Sequence, residues 1–220
     1  MKTVFLSCPL CESTGSCEPF HSDKNRDYYR CSLCHLIHVS PSQRLSSEAE
    51  QAEYDKHQNS PSDAGYRKFL GRLFTPLNKK LSPGSCGLDF GSGPGPTLSV
   101  MFEEAGHEMS LFDPFYAPHK KSLSTRYDFI TASEVVEHLY NPAADLTLLW
   151  SLLMPGGWLG IMTKLALDEA AFSTWHYKHD PTHVCFFSST TIDWLARQWQ
   201  AECVAIGNDV FLFRKPGTIR

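Results

Sequence analysis

The segment Gly87-Leu88-Asp89-Phe90-Gly91-Ser92-Gly93-Pro94-Gly95-Pro96-Thr97-Leu98 constrains this chain more than any other. It reads as an apolar strand, a turn with three alternating glycines and the start of a helix, which is the opening of an α/β unit. Glycines in such a turn admit positive φ angles and let a ligand approach the backbone, while the following helix offers free N–H groups. A dinucleotide fingerprint spaces its glycines G-x-G-x-x-G. Here Gly91, Gly93 and Gly95 read G-x-G-x-G, with Asp89 two residues before them. The turn belongs to a cofactor site of another kind.

Later segments continue the pattern. Ser110-Leu111-Phe112-Asp113 ends a second strand, and Asp113 lies twenty residues past Gly93, the separation a strand–helix–strand unit needs. Residues 127–132 read as a further strand, Asn141 caps a helix with Pro142 in its first turn, and Leu153-Met154-Pro155-Gly156-Gly157-Trp158 turns into another strand. Together, residues 87–162 resemble the class I S-adenosylmethionine (SAM) dependent methyltransferases, the glycine turn being similar to their motif I. The resemblance implies a Rossmann-like α/β sheet and SAM as cofactor. It places Asp89 near the methionine part of SAM and Gly91, Ser92, Gly93, Pro94 and Gly95 around it. Asp113 and Pro114 fall at the ribose, whose hydroxyl protons a carboxylate can accept, and Ser133 and Glu134 fall at the cofactor edge.

Only thirteen residues separate Asp113 from Tyr127, too few for the usual helix and third strand, so that edge of the sheet is expected to be trimmed. At the other end, Ser188 or Ser189 caps a helix through Trp199. Residues 201–206 and 210–213 then form a hairpin around Gly207-Asn208-Asp209, as class I enzymes add to a Rossmann core.

Four of the eight cysteines fall as Cys8-x-x-Cys11 and Cys31-x-x-Cys34 with nineteen residues between the pairs, a zinc-site spacing. Two such turns on facing hairpins close a tetrahedral shell with no position left for chemistry, so the expected ion is a structural zinc. About forty residues bury little core, and metal binding would supply most of the folding free energy of this ribbon. Disulfides or redox dithiols are the alternative. His35 and His38 are candidate replacement ligands, and Cys17, Cys86, Cys185 and Cys203 read as small buried apolar residues. The expected organisation is a zinc ribbon over residues 1–40, linker and lid helices over 41–84, and a SAM-binding domain over 85–220.

Within the linker, residues 46–57 suit a short helix. Tyr66, Phe69, Leu70, Leu73, Phe74 and Leu77 recur at helical spacing in a second helix that Pro76 should kink or divide. The cluster of Tyr54, His57, Asn59, Asp63, Gly65 and Tyr66 lies where related enzymes place a lid over SAM, which makes Tyr54 and Tyr66 cofactor contacts.

Chemistry is expected where Glu134-Val135-Val136-Glu137-His138 follows the strand of residues 127–132. If this stretch is helical, Glu134, Glu137 and His138 share one face. The run 175–183 adds His176, His179 and His183. The combination resembles ubiquinone-biosynthesis O-methyltransferases and small-RNA 2′-O-methyltransferases, whose Glu-x-x-Glu-His element and downstream His bind a metal. On that likeness Glu134, Glu137, His138 and His183 would hold Mg or another divalent cation that lowers the pKa of a substrate hydroxyl. Equally open is a metal-free site in which His138 or His183 is a general base and Glu137 supports it. His183-Val184-Cys185-Phe186-Phe187-Ser188 is also similar to the His-aromatic-Phe-Ser feature of sugar C-methyltransferases, and Cys8-Pro9-Leu10-Cys11 to the zinc element of ribosomal-RNA guanine methyltransferases. C- or N-methylation of a sugar or RNA acceptor thus stands beside O-methylation, and a non-catalytic SAM-binding adaptor is the competing class.

A formal net charge of −4 gives no footprint for nucleic acid or an anionic membrane, which favours a small-molecule acceptor. The longest apolar stretch, residues 146–162, is broken by Pro155-Gly156-Gly157 and is no membrane span. Residues 1–8 glance at a lipoprotein signal, but their apolar core is too short, and a cytoplasmic location is expected.

Overall fold

The computed structural model describes residues 6–56 and 59–217, so residues 1–5 of the leader-like stretch and His57 of the lid cluster lie outside it. Its centre is a six-stranded sheet in the order β5-β4-β6-β7-β10-β9. Strands β4 (Cys86–Phe90), β5 (Glu108–Phe112), β6 (Tyr127–Ser133) and β7 (Leu153–Met162) run parallel. The terminal hairpin of β9 (Glu202–Ile206) and β10 (Val210–Arg214) adds antiparallel to β7. The trimmed edge is present: β5 is the outer strand, and only an Asp113–Ala117 bridge and a 3-10 turn over Lys120–Ser124 lead from it to β6.

Alternation along β7 explains the two cores. Trp158 and Met162 face one side, with Phe129 and Leu212, and pack on Leu70, Leu73 and Leu77 of α2 (Ala64–Asn78) and on Leu98 and Phe102 of α3 (Thr97–Glu104). Leu159 and Ile161 face the other, with Ile130 and Phe213, against Leu146 and Leu149 of α4 (Pro142–Leu152) and Leu195 of α6 (Ser189–Gln198). Buried on both faces, β6 and β7 read as near-continuous apolar runs, as central parallel strands do. Gly160 lets α2 come close, since a Cβ there would stand 2.8 Å from Leu73 Cδ1. Helix α2 is not divided at Pro76, contrary to expectation, because the proline falls in the last turn. There it forfeits a single bond to the carbonyl of Arg72, a residue on the solvent side, with only two helical residues beyond it.

The N-terminal residues form a second sheet of β1 (Cys17–Ser22), β2 (Asp27–Cys31) and β3 (Ile37–Val39), and its fourth strand comes from far along the chain. This is β8 (Cys185–Phe186), antiparallel to β3 with Ile37 opposite Phe186 and His38 opposite Cys185. The division expected after residue 40 therefore runs through a sheet. One apolar cluster extends from Cys8 and Leu36 through Phe172 and Phe186, with α5 (Glu169–Ser173) laid on β1, to Phe213 in the main sheet. After β3 in the chain, α1 (Ser47–Tyr54) is capped by Ser46, whose side chain accepts from the Ala49 N–H, matching the predicted linker helix.

Leu73 is fully buried between α2 and β7. Leu73→Ala should lower unfolding free energy by about 2–5 kcal/mol, read as a lower urea midpoint at constant slope; an unchanged midpoint would contradict this packing.

Candidate active site

The glycine turn leaves β4 with Gly91 at φ +73° and Gly93 at φ +62°, both in the left-handed region. Its N–H groups close onto the end of β5: Gly91 donates to the Phe112 carbonyl at 2.8 Å and Gly93 to Asp113 Oδ2 at 2.9 Å. Asp113 Oδ1 accepts from the N–H groups of Phe115 (2.9 Å) and Tyr116 (3.0 Å). The acid is thus fixed by three backbone donors, and Oδ2, engaged once, keeps a lone pair for a ligand hydroxyl.

Over this turn opens a cavity of about 860 Å³, in the upper part of the roughly 300–1,000 Å³ range of small-molecule sites. Gly91, Ser92, Gly93, Pro94, Asp113 and Pro114 line one wall, Tyr54 and Tyr66 another, and Ser133, Glu134, His138 and His183 reach it from beyond β6. Three buried polar atoms of the lining, Ser92 Oγ, Ser133 Oγ and Glu134 Oε1, have no hydrogen-bond partner in the protein, which marks where a ligand's polar groups are needed.

Two residues expected at the cofactor do not line the cavity. Asp89 is buried beneath it, accepting from Thr131 Oγ1 (2.7 Å) and Ser99 Oγ (3.0 Å), so that it ties β4, β6 and α3 together. Gly95 packs under the main chain of Asn59, whose oxygen would lie 2.2 Å from an added Cβ.

The Glu-x-x-Glu-His stretch is not an α-helix. Glu134 takes φ +53°, and a 3-10 turn spans Val136–His138, so the two glutamates do not follow one helix face. Glu134 remains at the cavity, whereas Glu137 is fully buried behind it and accepts from Thr163 Oγ1 (3.0 Å) and from the Tyr177 hydroxyl. Burial and the neighbouring Glu134 charge push the Glu137 carboxyl up to about 8 against the opposition of those hydroxyls. Burial raises Glu134 to about 7, opposed by Lys164 and Arg72, and Asp89 to about 6, opposed by Thr131 and Ser99.

His183 and His138 meet with ring centroids 4.6 Å apart. A carbonyl can only accept, so the contact of His183 Nδ1 with the Tyr177 oxygen at 2.7 Å places the proton on Nδ1. Nε2 then carries the lone pair, with Asp180 Oδ2 at 3.8 Å. Asp180 also lines the cavity, and no motif in the sequence announces it. Burial holds the His183 pKa below its usual value while Asp180 pulls the other way. His138 Nδ1 donates likewise to the Thr182 carbonyl at 3.3 Å. One ligand atom each from Glu137, His138 and His183 lies within 4.8 Å of the others, and Glu134 is not of this group. His176 and His179 are exposed and away from the cavity.

The sulfurs of Cys8, Cys11, Cys31 and Cys34 also lie within 4.8 Å of one another. The Cys8–Cys34 and Cys11–Cys31 separations are 3.4 and 3.5 Å. These are far beyond a bond of about 2.05 Å and near the edge, about 3.8 Å, of a tetrahedron with Zn–S of about 2.3 Å. The Leu33 N–H and Ser13 Oγ bond to Cys31 and Cys11 sulfurs, as suits thiolates. His35 and His38 stand outside the group, His38 Nε2 meeting Cys17 Sγ at 3.3 Å, which gives Cys17 a polar partner it was not expected to have.

A family described as a methyltransferase domain matches residues 34–206, and the chain belongs to it: this is a SAM-dependent methyltransferase. The match begins inside the cysteine module. Among solved structures, the 1,6-didemethyltoxoflavin-N1-methyltransferase of Burkholderia thailandensis, with 1,6-didemethyltoxoflavin and S-adenosylhomocysteine bound, is similar at 17% identity and a TM-score of 0.51 over 90% of this chain and 99% of that one. An O-methyltransferase family protein from the same organism is similar at 12% identity and a TM-score of 0.53 over 79% of this chain and 61% of that one. At these identities the likeness is one of fold. No curated protein matches the sequence. Among the described residues, no helix is long and apolar enough to cross a membrane.

Three carboxyls with raised pKa values have a consequence for stability. Glu137, Glu134 and Asp89 keep their protons in the folded chain at a pH where the unfolded chain has released them, so ionisation favours unfolding. The contribution of these three groups to stability should fall as pH rises from about 4.5 to about 8, and Glu137→Gln should make the pH dependence above pH 7 less steep. Urea unfolding at pH 5, 7 and 8.5 checks this; equal pH dependence in both proteins would contradict the buried, protonated Glu137.

Proposed function

We propose that the enzyme methylates a hydroxyl or amine of a small-molecule acceptor, with His183 as the general base. The observation that carries this reading is the Nδ1–H bond to the Tyr177 carbonyl, which leaves Nε2 basic at the cavity beside Asp180. Asp113 and the turn of Gly91, Ser92 and Gly93 would hold the nucleoside part of SAM, the unpartnered Ser92, Ser133 and Glu134 atoms would meet its remaining polar groups, and Tyr54 and Tyr66 would cover it. Bound there, SAM supplies an electrophilic methyl whose bond to sulfur breaks as the acceptor's lone pair attacks. Nε2 takes the acceptor proton, and the Asp180 carboxylate stabilises the imidazolium. Among the described lining residues are Glu50, Asp113, Glu134, Asp145 and Asp180 but no Lys or Arg, which favours a neutral or cationic acceptor over a nucleic acid.

The metal-assisted alternative rests on the Glu137, His138 and His183 grouping, and the residues fit a divalent cation poorly. Both Glu137 oxygens already accept hydroxyl hydrogens, from Thr163 and Tyr177. The four N-terminal cysteines do fit a structural zinc, and a thiolate site of this kind suits a reducing cytoplasm.

A metabolite screen with methyl-labelled SAM would identify the acceptor. His183→Ala should then lower turnover by about 10²–10⁴ while S-adenosylhomocysteine affinity by calorimetry stays within about two-fold, and Asp113→Ala should weaken that affinity at least about ten-fold. Full turnover in His183→Ala would overturn the base. Turnover should survive EDTA with the zinc content intact; its loss, restored by Mg, would favour the metal reading instead.

A further inference from the structure

Arg26 stands in the turn between β1 and β2, 8% exposed, and serves a loop more than 150 residues away. Asp23 sets the turn, its Oδ1 accepting from the N–H groups of Asn25 (2.9 Å) and Arg26 (3.0 Å). The guanidinium then donates to four main-chain carbonyls of a single loop: Nη1 to His183 (2.8 Å) and Pro181 (3.3 Å), Nη2 to Asp180 (3.0 Å) and Lys178. Each terminal nitrogen carries two hydrogens, so all four of their donors are used. Asp23 Oδ2 also receives the buried Lys178 ammonium at 2.7 Å and the Tyr28 hydroxyl at 3.2 Å.

The loop so gathered carries Asp180 and His183. Four carbonyl dipoles turned to one point hold that shape only around a fixed set of donors, since buried backbone acceptors left unpaired are costly. A planar fork supplies four directed bonds; an ammonium supplies the charge without that geometry. The same loop brings the Tyr177 and Thr182 carbonyls to the Nδ1 atoms of His183 and His138.

We infer that Arg26 is a positioning residue for methyl transfer: from the cysteine module it fixes the 178–183 loop so that His183 keeps its Nδ1–H tautomer and presents Nε2 beside Asp180. The N-terminal module is then part of the catalytic geometry and not only an appendage. The inference rests on His183 being the base, and its test separates the two.

The test is histidine ¹⁵N NMR on the full-length, zinc-loaded protein with S-adenosylhomocysteine. Wild type should show His183 as a single Nδ1–H tautomer. Arg26→Gln should give mixed tautomers and at least about ten-fold faster amide exchange over residues 176–186, with S-adenosylhomocysteine affinity within about two-fold; Arg26→Lys should recover part of both. A wild-type His183 signature and loop exchange in Arg26→Gln would overturn the proposal. Should Arg26→Gln fail to fold, Arg26→Lys decides: mixed tautomers with intact S-adenosylhomocysteine binding support it, while a wild-type signature, or loss of that binding, overturns it. Mixed tautomers in Arg26→Gln together with full turnover in His183→Ala would overturn the base and, with it, a role for Arg26 in methyl transfer, leaving Arg26 only as an anchor of the loop.

Discussion

The pairing of β3 with β8 is the constraint on which the rest of this molecule depends. It makes a strand that follows α5 the fourth member of the N-terminal sheet, with Val39 donating to the Val184 carbonyl at 3.0 Å and Val184 to that of Glu137 at 2.8 Å. His183 is the residue immediately before this ladder, so its position follows from the register of a sheet whose other strands lie within the first forty residues. The aromatic packing of Phe20, Tyr28, Phe172 and Phe186 seals the junction on its apolar side. A zinc in the four-cysteine cage would thus stabilise more than its own hairpins.

The opposite end of the cavity is built without this module. There the ends of β4 and β5 are bound together through Gly91, Gly93 and Asp113, and the buried Asp89 braces the turn from below through Ser99 and Thr131. The two ends meet at Ser133 and Glu134, where β6 stops and Glu134 adopts its left-handed backbone. Such strain in a non-glycine residue is held by its surroundings: the Glu134 N–H is bonded to the Met162 carbonyl at 2.8 Å, and Gly91 yields the space that Val135 fills.

Local features were legible in the sequence and long-range ones were not. The glycine turn, the truncated edge after Asp113, the terminal hairpin and the paired cysteines each depend on residues close along the chain, and spacing alone conveys them. Pro76 leaves its helix undivided because its effect depends on where the helix ends, which Pro76 itself does not state. The Glu134 to His138 stretch has helical spacing, but one positive φ angle breaks the periodicity that would have placed both glutamates on one face. Asp89 obeys the motif in sequence and departs from its expected place because two hydroxyls from other elements enclose it. Arg26 and Asp180 carry no sequence signal of their contact, which arises only when a turn of the first sheet meets a loop from the far end of the chain.

On the proposed reading, one cavity holds SAM by the Gly91 to Asp113 wall and delivers its methyl toward the His183 wall. The most direct measurement is a crystal structure of the S-adenosylhomocysteine complex with the metal content determined. The ribose hydroxyls are expected on Asp113, the sulfur facing His138 and His183, and one zinc among Cys8, Cys11, Cys31 and Cys34. A nucleoside bound elsewhere, or a sulfur turned away from His183, would contradict it.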